Sequence, residues 1–255
     1  ESVVVVEKAP HPGYHNLSGA VFEADCLDDL VRDWRDDPTC PVNAAPLIER
    51  DEMYFLGASR TMRIPAFAVP PRMRHKGDRA ISSGKLVEWL SRLAERAGVE
   101  IHHGFAAGRL VLERGTVRGV KLVDLGLGPG GEERSNYLPG ETLEAKVTII
   151  SDGSRGVLSG QLTEILGPGH LPQVYSIGVK EIHKLPKDND FGSDRAIHTL
   201  GFPLKRDVFG GGFIYSMGED TVAVGLILGL DWRYRDVSPQ LELEAFKRQP
   251  FVAGL

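Results

Sequence analysis

Glu1-Ser-Val-Val-Val-Val-Glu7-Lys8 is the stretch from which the rest of the chain is read. Four consecutive valines bounded by charge predict a parallel strand buried on both faces. An acidic residue closing such a strand is where a dinucleotide-binding unit holds the adenosine ribose hydroxyls. In that unit a first strand and a Gly-x-Gly-x-x-Gly turn precede the acid by about twenty residues. No such turn stands before Glu7. The sequence is therefore expected to be an internal piece of a larger flavin- or nicotinamide-binding protein.

Composition narrows the class. The 255 residues are 42% hydrophobic and 25% charged, which suits a soluble globular fold of one large or two smaller domains. A net charge of −5, with no basic run interleaved with aromatics, argues against a nucleic-acid binder. Thirty glycines and sixteen prolines predict many turns in a mixed α/β protein. Cys26 and Cys40 have neither Cys-x-x-Cys spacing nor a matching histidine pair, so no zinc site is expected. Two thiolates also fall short of the four ligands of an iron–sulfur cluster. Both are expected to be reduced and structural. No stretch is long and apolar enough to span a bilayer. No signal-peptide pattern is visible, which in a truncated chain says nothing about location.

The pattern along the chain alternates. A turn-rich loop, Pro10 to Ala20, follows the first strand. Asp25 to Trp34 has a helical pattern that Pro38 to Pro46 breaks, and Met53 to Leu56 is a strand candidate. The strongest helix runs from Ser83 to Ala97, with Leu86, Trp89, Leu90, Leu93 and Ala94 at helical spacing. Ser83 can cap it and Gly98 stops it. Val99 to His102 reads as a strand, and Arg109–Glu113 with Thr116–Asp124 as a hairpin about Arg114-Gly115. Leu125 to Gly140 reads as a glycine-rich polar loop. Lys146 to Ile150 reads as a second buried strand, leading through Ser151-Asp-Gly153 to a helix beginning near Ser154. Four strand candidates follow: Val174–Ile182, Arg195–Leu200, Phe213–Met217 and Thr221–Leu230. A helix is expected from Gln240 to Lys247. Strands after a βαβ-like half suggest a second, sheet-based domain.

Three features fit one chemistry. A dinucleotide needs hydroxyl acceptors, close backbone approach at glycine and a helix N-terminus for phosphate. Glu7, Gly153 and the turn after Ile150 could supply them together. Separately, an acid after a strand and an Asp152-Gly153 turn are both common loop chemistry.

A resemblance sharpens this reading. His15-Asn-Leu-Ser-Gly-Ala20, the Gly84-Lys-Leu-Val-Glu-Trp-Leu90 helix, Gly178-Val-Lys-Glu181 and His198-Thr-Leu-Gly-Phe-Pro-Leu204 come first. Phe209-Gly-Gly-Gly-Phe-Ile-Tyr215 and Val224-Gly-Leu-Ile-Leu-Gly-Leu-Asp231 follow in order. Together they closely resemble the electron-transfer flavoprotein–ubiquinone oxidoreductases. The match runs through essentially the whole chain, yet covers less than half of a complete family member.

The resemblance implies an enzyme peripheral to the bacterial cytoplasmic membrane or the mitochondrial inner membrane. It would carry FAD and a 4Fe-4S cluster, take electrons from reduced electron-transfer flavoprotein and pass them to ubiquinone. It implies an α/β (α+β) fold: a glutathione-reductase-like FAD-binding domain interleaved with a β-sheet-rich quinone-binding domain. Residues 1–44 and 81–169 would form the first, and 45–80 and 170–255 the second. Glu7 and Lys8 would lie at the adenosine, His15, Leu17, Ser18 and Gly19 would approach the flavin, and Asp152 and Gly153 would belong to a second FAD motif. Phe209, Gly210, Gly211 and Phe213 would meet the quinone headgroup, where glycine leaves room for a flat ring. The first glycine turn, the C-terminal FAD segment and all four cluster cysteines are missing. Phe209 also stands where the family often has tyrosine. The chain alone is therefore expected to be inactive.

Ile64-Pro-Ala-Phe-Ala-Val-Pro-Pro71 is apolar and flanked by Arg60, Arg63, Arg72, Arg74, His75 and Lys76. That suits shallow insertion into a bilayer surface by Ile64, Phe67 and Val69, with cations meeting anionic headgroups. A loop packed on its own domain, with arginines in solvent, is the plainer reading. Among the histidines, His198 draws notice because quinone reduction consumes protons. No metal site is expected. Two rival readings stand: a geranylgeranyl-reductase-like or aromatic-hydroxylase-like FAD enzyme, and a non-catalytic module docking at membranes or partners.

Overall fold

The computed structural model describes residues 2–167, 169, 173–233 and 237–255. Glu1, where the quoted strand motif opens, lies outside the described residues. In chain order the strands are β1 (Val3–Glu7), β2 (Ser18–Phe22), β3 (Arg50–Leu56), β4 (Thr61–Ile64) and β5 (Arg79–Ser82). Helix α1 (Ser83–Arg96) follows, then β6 (Val99–His103), β7 (Ala107–Glu113), β8 (Thr116–Leu122), β9 (Leu125–Leu127), β10 (Glu133–Leu138) and β11 (Thr142–Glu144). After α2 (Val157–Leu166) come β12 (Ser176–Lys184), β13 (Arg195–Gly201), β14 (Gly210–Ser216) and β15 (Thr221–Gly229), then α3 (Pro239–Arg248) and α4 (Pro250–Ala253). Two compact units result: Glu1–His15 with Leu90–Pro172, and Asn16–Trp89 with Gln173–Leu255.

In the first unit β1 and β6 form a parallel pair, Val3 opposite Val99 through Glu7 opposite His103. Strands β7, β8 and β11 form an antiparallel sheet. The β7–β8 hairpin turns where the sequence placed it, with Arg114 and Gly115 both at positive φ, 50° and 79°, as a type I′ turn requires. Helix α2 docks on β7 through Gln161, which accepts from Leu110 N and donates to Gly108 O, both at 2.9 Å.

Four expectations fail here, each for a physical reason. The β1 valines form a strand but are not buried: Val3, Val4 and Val5 are 54%, 44% and 42% exposed, because a two-stranded pair covers neither face. Lys146–Ile150 makes no strand, and Val147 and Ile149 are 76% and 87% exposed. An apolar run becomes a buried strand only beside a ladder partner, and among the described residues it has none. Leu125–Gly140, expected as a loop, carries the β9–β10 antiparallel pair. Its sparse apolar residues alternate too weakly to announce strands. The α2 helix begins at Val157 rather than near Ser154.

In the second unit six strands form a mixed sheet in the order β12-β15-β14-β13-β3-β4. Only β13 and β3 run parallel. One face carries Leu56, Ile197, Ile214, Val222, Val224, Leu226 and Leu228 against Leu243 and Phe246 of α3. All of these are buried. The opposite face carries Ala196, Phe213, Tyr215 and Ala223, packed against Ile48 and Val21 of β2. The alternation that sorts these side chains is the period-two pleat of a strand. In the sequence β15 shows instead as a near-continuous apolar run, Val222-Ala-Val-Gly-Leu-Ile-Leu228, the mark of a strand covered on both faces.

Asp25–Trp34 is not a helix but a short 3-10 turn, Ala24–Leu27, followed by turns. Its aspartates take other partners: Asp28 accepts from Trp34 Nε1 at 2.7 Å and pairs with Arg35. Such competition is why aspartate disfavours helix interiors. Trp89 is fully buried, as its place on the apolar face of α1 predicted. Its Nε1 donates to Asp37 Oδ2 at 3.0 Å.

Candidate functional site

In the first unit, Glu7 ends β1 with Oε1 accepting the Ala9 N–H at 2.7 Å. Its second carboxylate oxygen has no partner among the described residues and is free to accept a hydroxyl. Gly104 N and Phe105 N donate to Ala9 O and Glu7 O at 2.9 and 3.1 Å, fixing the strand end that carries Lys8. Gly153 adopts φ +82°, and nothing lies within 4 Å of where a Cβ would stand. Backbone there is open to close approach. Asp152 is committed elsewhere: Oδ2 accepts from Leu158 N at 2.7 Å and Ser159 N at 3.2 Å. Those helix N–H groups, the natural anion slot of α2, are filled by the chain's own carboxylate; burial raises its pKa, but hydrogen bonds from the Ser159 hydroxyl and from Ser159 N and Leu158 N hold it below its usual value. His15 packs edge-on to Tyr14 at 5.5 Å. Of the three features a dinucleotide needs, Glu7 offers an acceptor and Gly153 offers open backbone, while the α2 N-terminus is taken by Asp152.

In the second unit, Leu17 is 68% exposed. Ser18 pairs with Ser82 through the β2–β5 ladder. Gly19 adopts φ +74°, and a Cβ there would meet the Ala223 Cβ at 2.5 Å. Strand β2 thus lies directly on β15.

The glycine-rich start of β14 sits between β15 and β13. Gly210 adopts φ +148°, and a Cβ there would stand 2.0 Å from Ile227 O. Register places Gly178, Ile227 and Gly211 in one row. Leu200 continues it, with Cδ2 3.5 Å from the Cβ position of Gly211. Phe55 and Met62 complete it on β3 and β4. Ile227, Leu200, Phe55 and Met62 are 42%, 36%, 48% and 62% exposed. The row is a flat apolar surface with bare backbone at Gly211, and Phe209, 73% exposed, lies at the start of β14. Phe213 is buried one row away, stacked on Tyr215 at 4.7 Å, and its ring fills the place of a side chain at Gly225.

Beside Phe213 lies a polar group that the sequence did not connect. The Tyr215 hydroxyl and His198 Nε2 share a hydrogen bond at 2.5 Å. The His75 ring stands 4.9 Å from that of His198, its Nδ1 3.0 Å from Asp78 Oδ2. Burial, with His75 alongside, lowers the His198 pKa to about 4. Burial, chiefly, pushes the Tyr215 hydroxyl well above its ordinary range.

In the apolar loop Phe67 is 86% exposed, but Val69 is only 7% exposed. The expectation of a lipid contact at Val69 is thereby corrected: the residue turns inward, and its carbonyl accepts from Arg74 Nε at 3.0 Å. Ile64, at the end of β4, pairs with Met53 of β3. Arg63 reaches Glu52 at 3.2 Å, while Arg60, Arg72 and Lys76 are exposed.

Cys40 is buried, Cys26 exposed, and both are free. Among the described residues no group of three or more His, Cys, Asp or Glu side chains is placed to hold a metal, so the cluster does not fit the donors present here. No helix among them is long and apolar enough to cross a membrane.

The mixed α/β fold is similar to that of solved structures that include flavin-dependent enzymes. It superposes on a geranylgeranyl bacteriochlorophyll reductase-like protein from Thermoplasma acidophilum with TM-score 0.64 and 16% identity, over 99% of this chain and 57% of that one. A flavin-dependent brominase gives TM-score 0.60 and 14% identity over 98% and 56%. At these identities the likeness shows the fold alone.

The sequence relatives are more specific. Residues 175–255 match the family model described as ETF-QO, ubiquinone-binding. The chain is 40% identical to the probable mitochondrial electron transfer flavoprotein-ubiquinone oxidoreductase of Schizosaccharomyces pombe, over 98% of its own length and 39% of that protein. It is 39% identical to the Pseudomonas aeruginosa electron transfer flavoprotein-ubiquinone oxidoreductase, over 98% and 46%. The resemblance read from the sequence is borne out over nearly the whole chain, which spans less than half the length of these relatives.

Proposed function

We propose that this chain is the part of an electron-transfer flavoprotein–ubiquinone oxidoreductase that receives ubiquinone beside FAD. One observation carries the reading: the segment matching the ubiquinone-binding family model supplies β12 to β15, which expose an apolar row of one sheet face with bare backbone at Gly211. In this reading residues 1–44 and 81–169 serve FAD, and 45–80 with 170–255 serve the quinone. Bound FAD supplies chemistry that the side chains lack, accepting electrons singly and delivering a pair.

The chain's own residues bind and orient. Glu7 offers its free carboxylate oxygen to the ribose, and Gly153 lets backbone approach the cofactor. Leu200, Ile227, Phe55 and Met62 form an apolar bed for the quinone ring, Gly210 and Gly211 present backbone to its oxygens, and Phe209 flanks it. Phe213 walls the bed one row along on the same face. Phe67 and Ile64, with Arg60, Arg72 and Lys76 around them, place this face at a membrane surface. The donor, electron-transfer flavoprotein, and the 4Fe-4S cluster belong to the reading through the relatives' parts that this chain does not cover.

The test uses the longer protein that carries this chain. It should purify with a flavin absorbance band and reduce ubiquinone when supplied with reduced electron-transfer flavoprotein. Leu200→Glu, at an exposed position, should raise the quinone KM while leaving the flavin content unchanged. A protein with flavin that ignores quinone would return the reading to a cluster-free flavin reductase or hydroxylase.

A further inference from the structure

The six-stranded sheet sets its side chains in rows, and the row beside the apolar bed is polar at one place. There Phe213 stands opposite His198, and His198 opposite Met53. The row after it holds Tyr215 opposite Ala196, and Ala196 opposite Asp51. His198 and Leu200 are two residues apart on β13, on one face, so their backbones are about 7 Å apart. The Tyr215–His198 hydrogen bond, 2.5 Å, joins the two rows. The His75 ring lies 4.9 Å from that of His198. His75 Nδ1 is 3.0 Å from Asp78 Oδ2, and its backbone N–H donates to Asp51 Oδ2 at 2.7 Å. Neither His75 nor Asp78 is fully buried, so the line of polar groups runs from the neighbour of the bed toward solvent. All of it belongs to one compact unit. His198 Nδ1 is buried with no partner among the described residues, which carries a cost. Apolar residues of the same shape would serve packing as well as this pair.

We propose that Tyr215 and His198 relay a proton from the His75–Asp78 side of the sheet to a quinone seated on the Leu200 row. The inference rests on the quinone reading given above. A quinone becomes a quinol by taking two electrons and two protons. Singly anionic reduced flavin gives up two electrons and one proton, so one further proton must come from solvent. Tyr215 and neutral His198 hold two protons among three positions: the hydroxyl oxygen, Nε2 and Nδ1. The Nδ1–H bond breaks as an O–H bond forms on the quinone, and the hydroxyl proton shifts to Nε2. Solvent then refills the pair along His75 and Asp78. Burial suits this role, because it keeps His198 neutral down to about pH 4 and so able to pass a proton without storing a charge.

The experiment mixes the full-length protein, its flavin reduced beforehand without oxygen, with either a short-chain ubiquinone or ferricenium. Ferricenium takes an electron and no proton. At saturating quinone His198→Gln should return the oxidised flavin band about a hundredfold more slowly than wild type. Tyr215→Phe should slow it too. In both variants flavin content, the half-saturating quinone concentration and the rate with ferricenium should stay as in wild type. Equal losses with the two acceptors would show a packing role and overturn the inference, as would no loss with either. Wild-type protein that reduces ferricenium but not ubiquinone would overturn the quinone reading and the inference with it. A second readout needs no variant. In heavy water wild type should slow with ubiquinone and keep its rate with ferricenium, and an equal response of the two would count against the relay.

Discussion

The Tyr215 hydroxyl and His198 Nε2, 2.5 Å apart, join strands β14 and β13 by a diagonal pair on the face opposite the main core. His198 Nδ1 is buried without a partner among the described residues. Burial, with His75 beside it, holds His198 neutral down to about pH 4.

That arrangement makes the unit acid-sensitive in a defined window. Unfolded, His198 binds its proton near pH 6.5. Folded, it does so only near 4. The unfolded state therefore binds more protons between these values, and stability falls as pH drops from about 6.5 toward 4. Linkage gives a loss of about 2 kcal/mol between pH 7 and 4.5 from this residue. Urea unfolding of wild type and His198→Gln at both pH values measures it. The variant should show the smaller decline, and parallel declines would assign the acid sensitivity to other groups.

Gly225 and Phe213 form a lock of a different kind. A Cβ at Gly225 would stand 2.2 Å from the Phe213 ring, and that ring is wedged against Tyr215. Gly225→Ala should destabilise the protein by about 1–3 kcal/mol through overpacking. Adding Phe213→Leu should return part of that loss, because the two residues share one space. Simple additivity in denaturant midpoints would show that the ring yields freely.

Phe67 is the exposed apolar residue of the proline-rich loop, set among Arg60, Arg72 and Lys76. Sedimentation with anionic vesicles should show binding that falls severalfold in Phe67→Asp and weakens as salt screens the cations. Val69→Asp is no test of membrane contact, since that buried position would disturb the fold instead. Unchanged vesicle binding in Phe67→Asp would remove the loop from the membrane account.

Much of the sheet was legible because β13, β14 and β15 are short apolar runs set between turn formers, and α1 announces itself through Ser83, Gly98 and its apolar stripe. The valines of β1 and of Val147–Ile149 misled for one reason. A β-branched run states a preference for strand, but burial depends on neighbours, and the sequence does not say which are present. The β9–β10 pair was lost among glycines and charges. In the candidate site, Glu7 was read from its place at a strand end and the Gly210-Gly211 pair from the order of motifs. The Tyr215–His198–His75 group was not legible, since it arises from cross-strand register rather than from spacing along the chain. Asp152 was readable as a turn residue, but its role as the cap of α2 appears only once Leu158 and Ser159 turn their N–H groups toward it.

The most direct test is rapid mixing of the full-length protein, its flavin reduced beforehand under anaerobic conditions, with a short-chain ubiquinone. The account predicts that the oxidised flavin band returns at a rate rising with quinone concentration, and that Leu200→Glu slows this return at low quinone without altering the flavin spectrum. A reduced flavin that stays reduced in excess ubiquinone would contradict it.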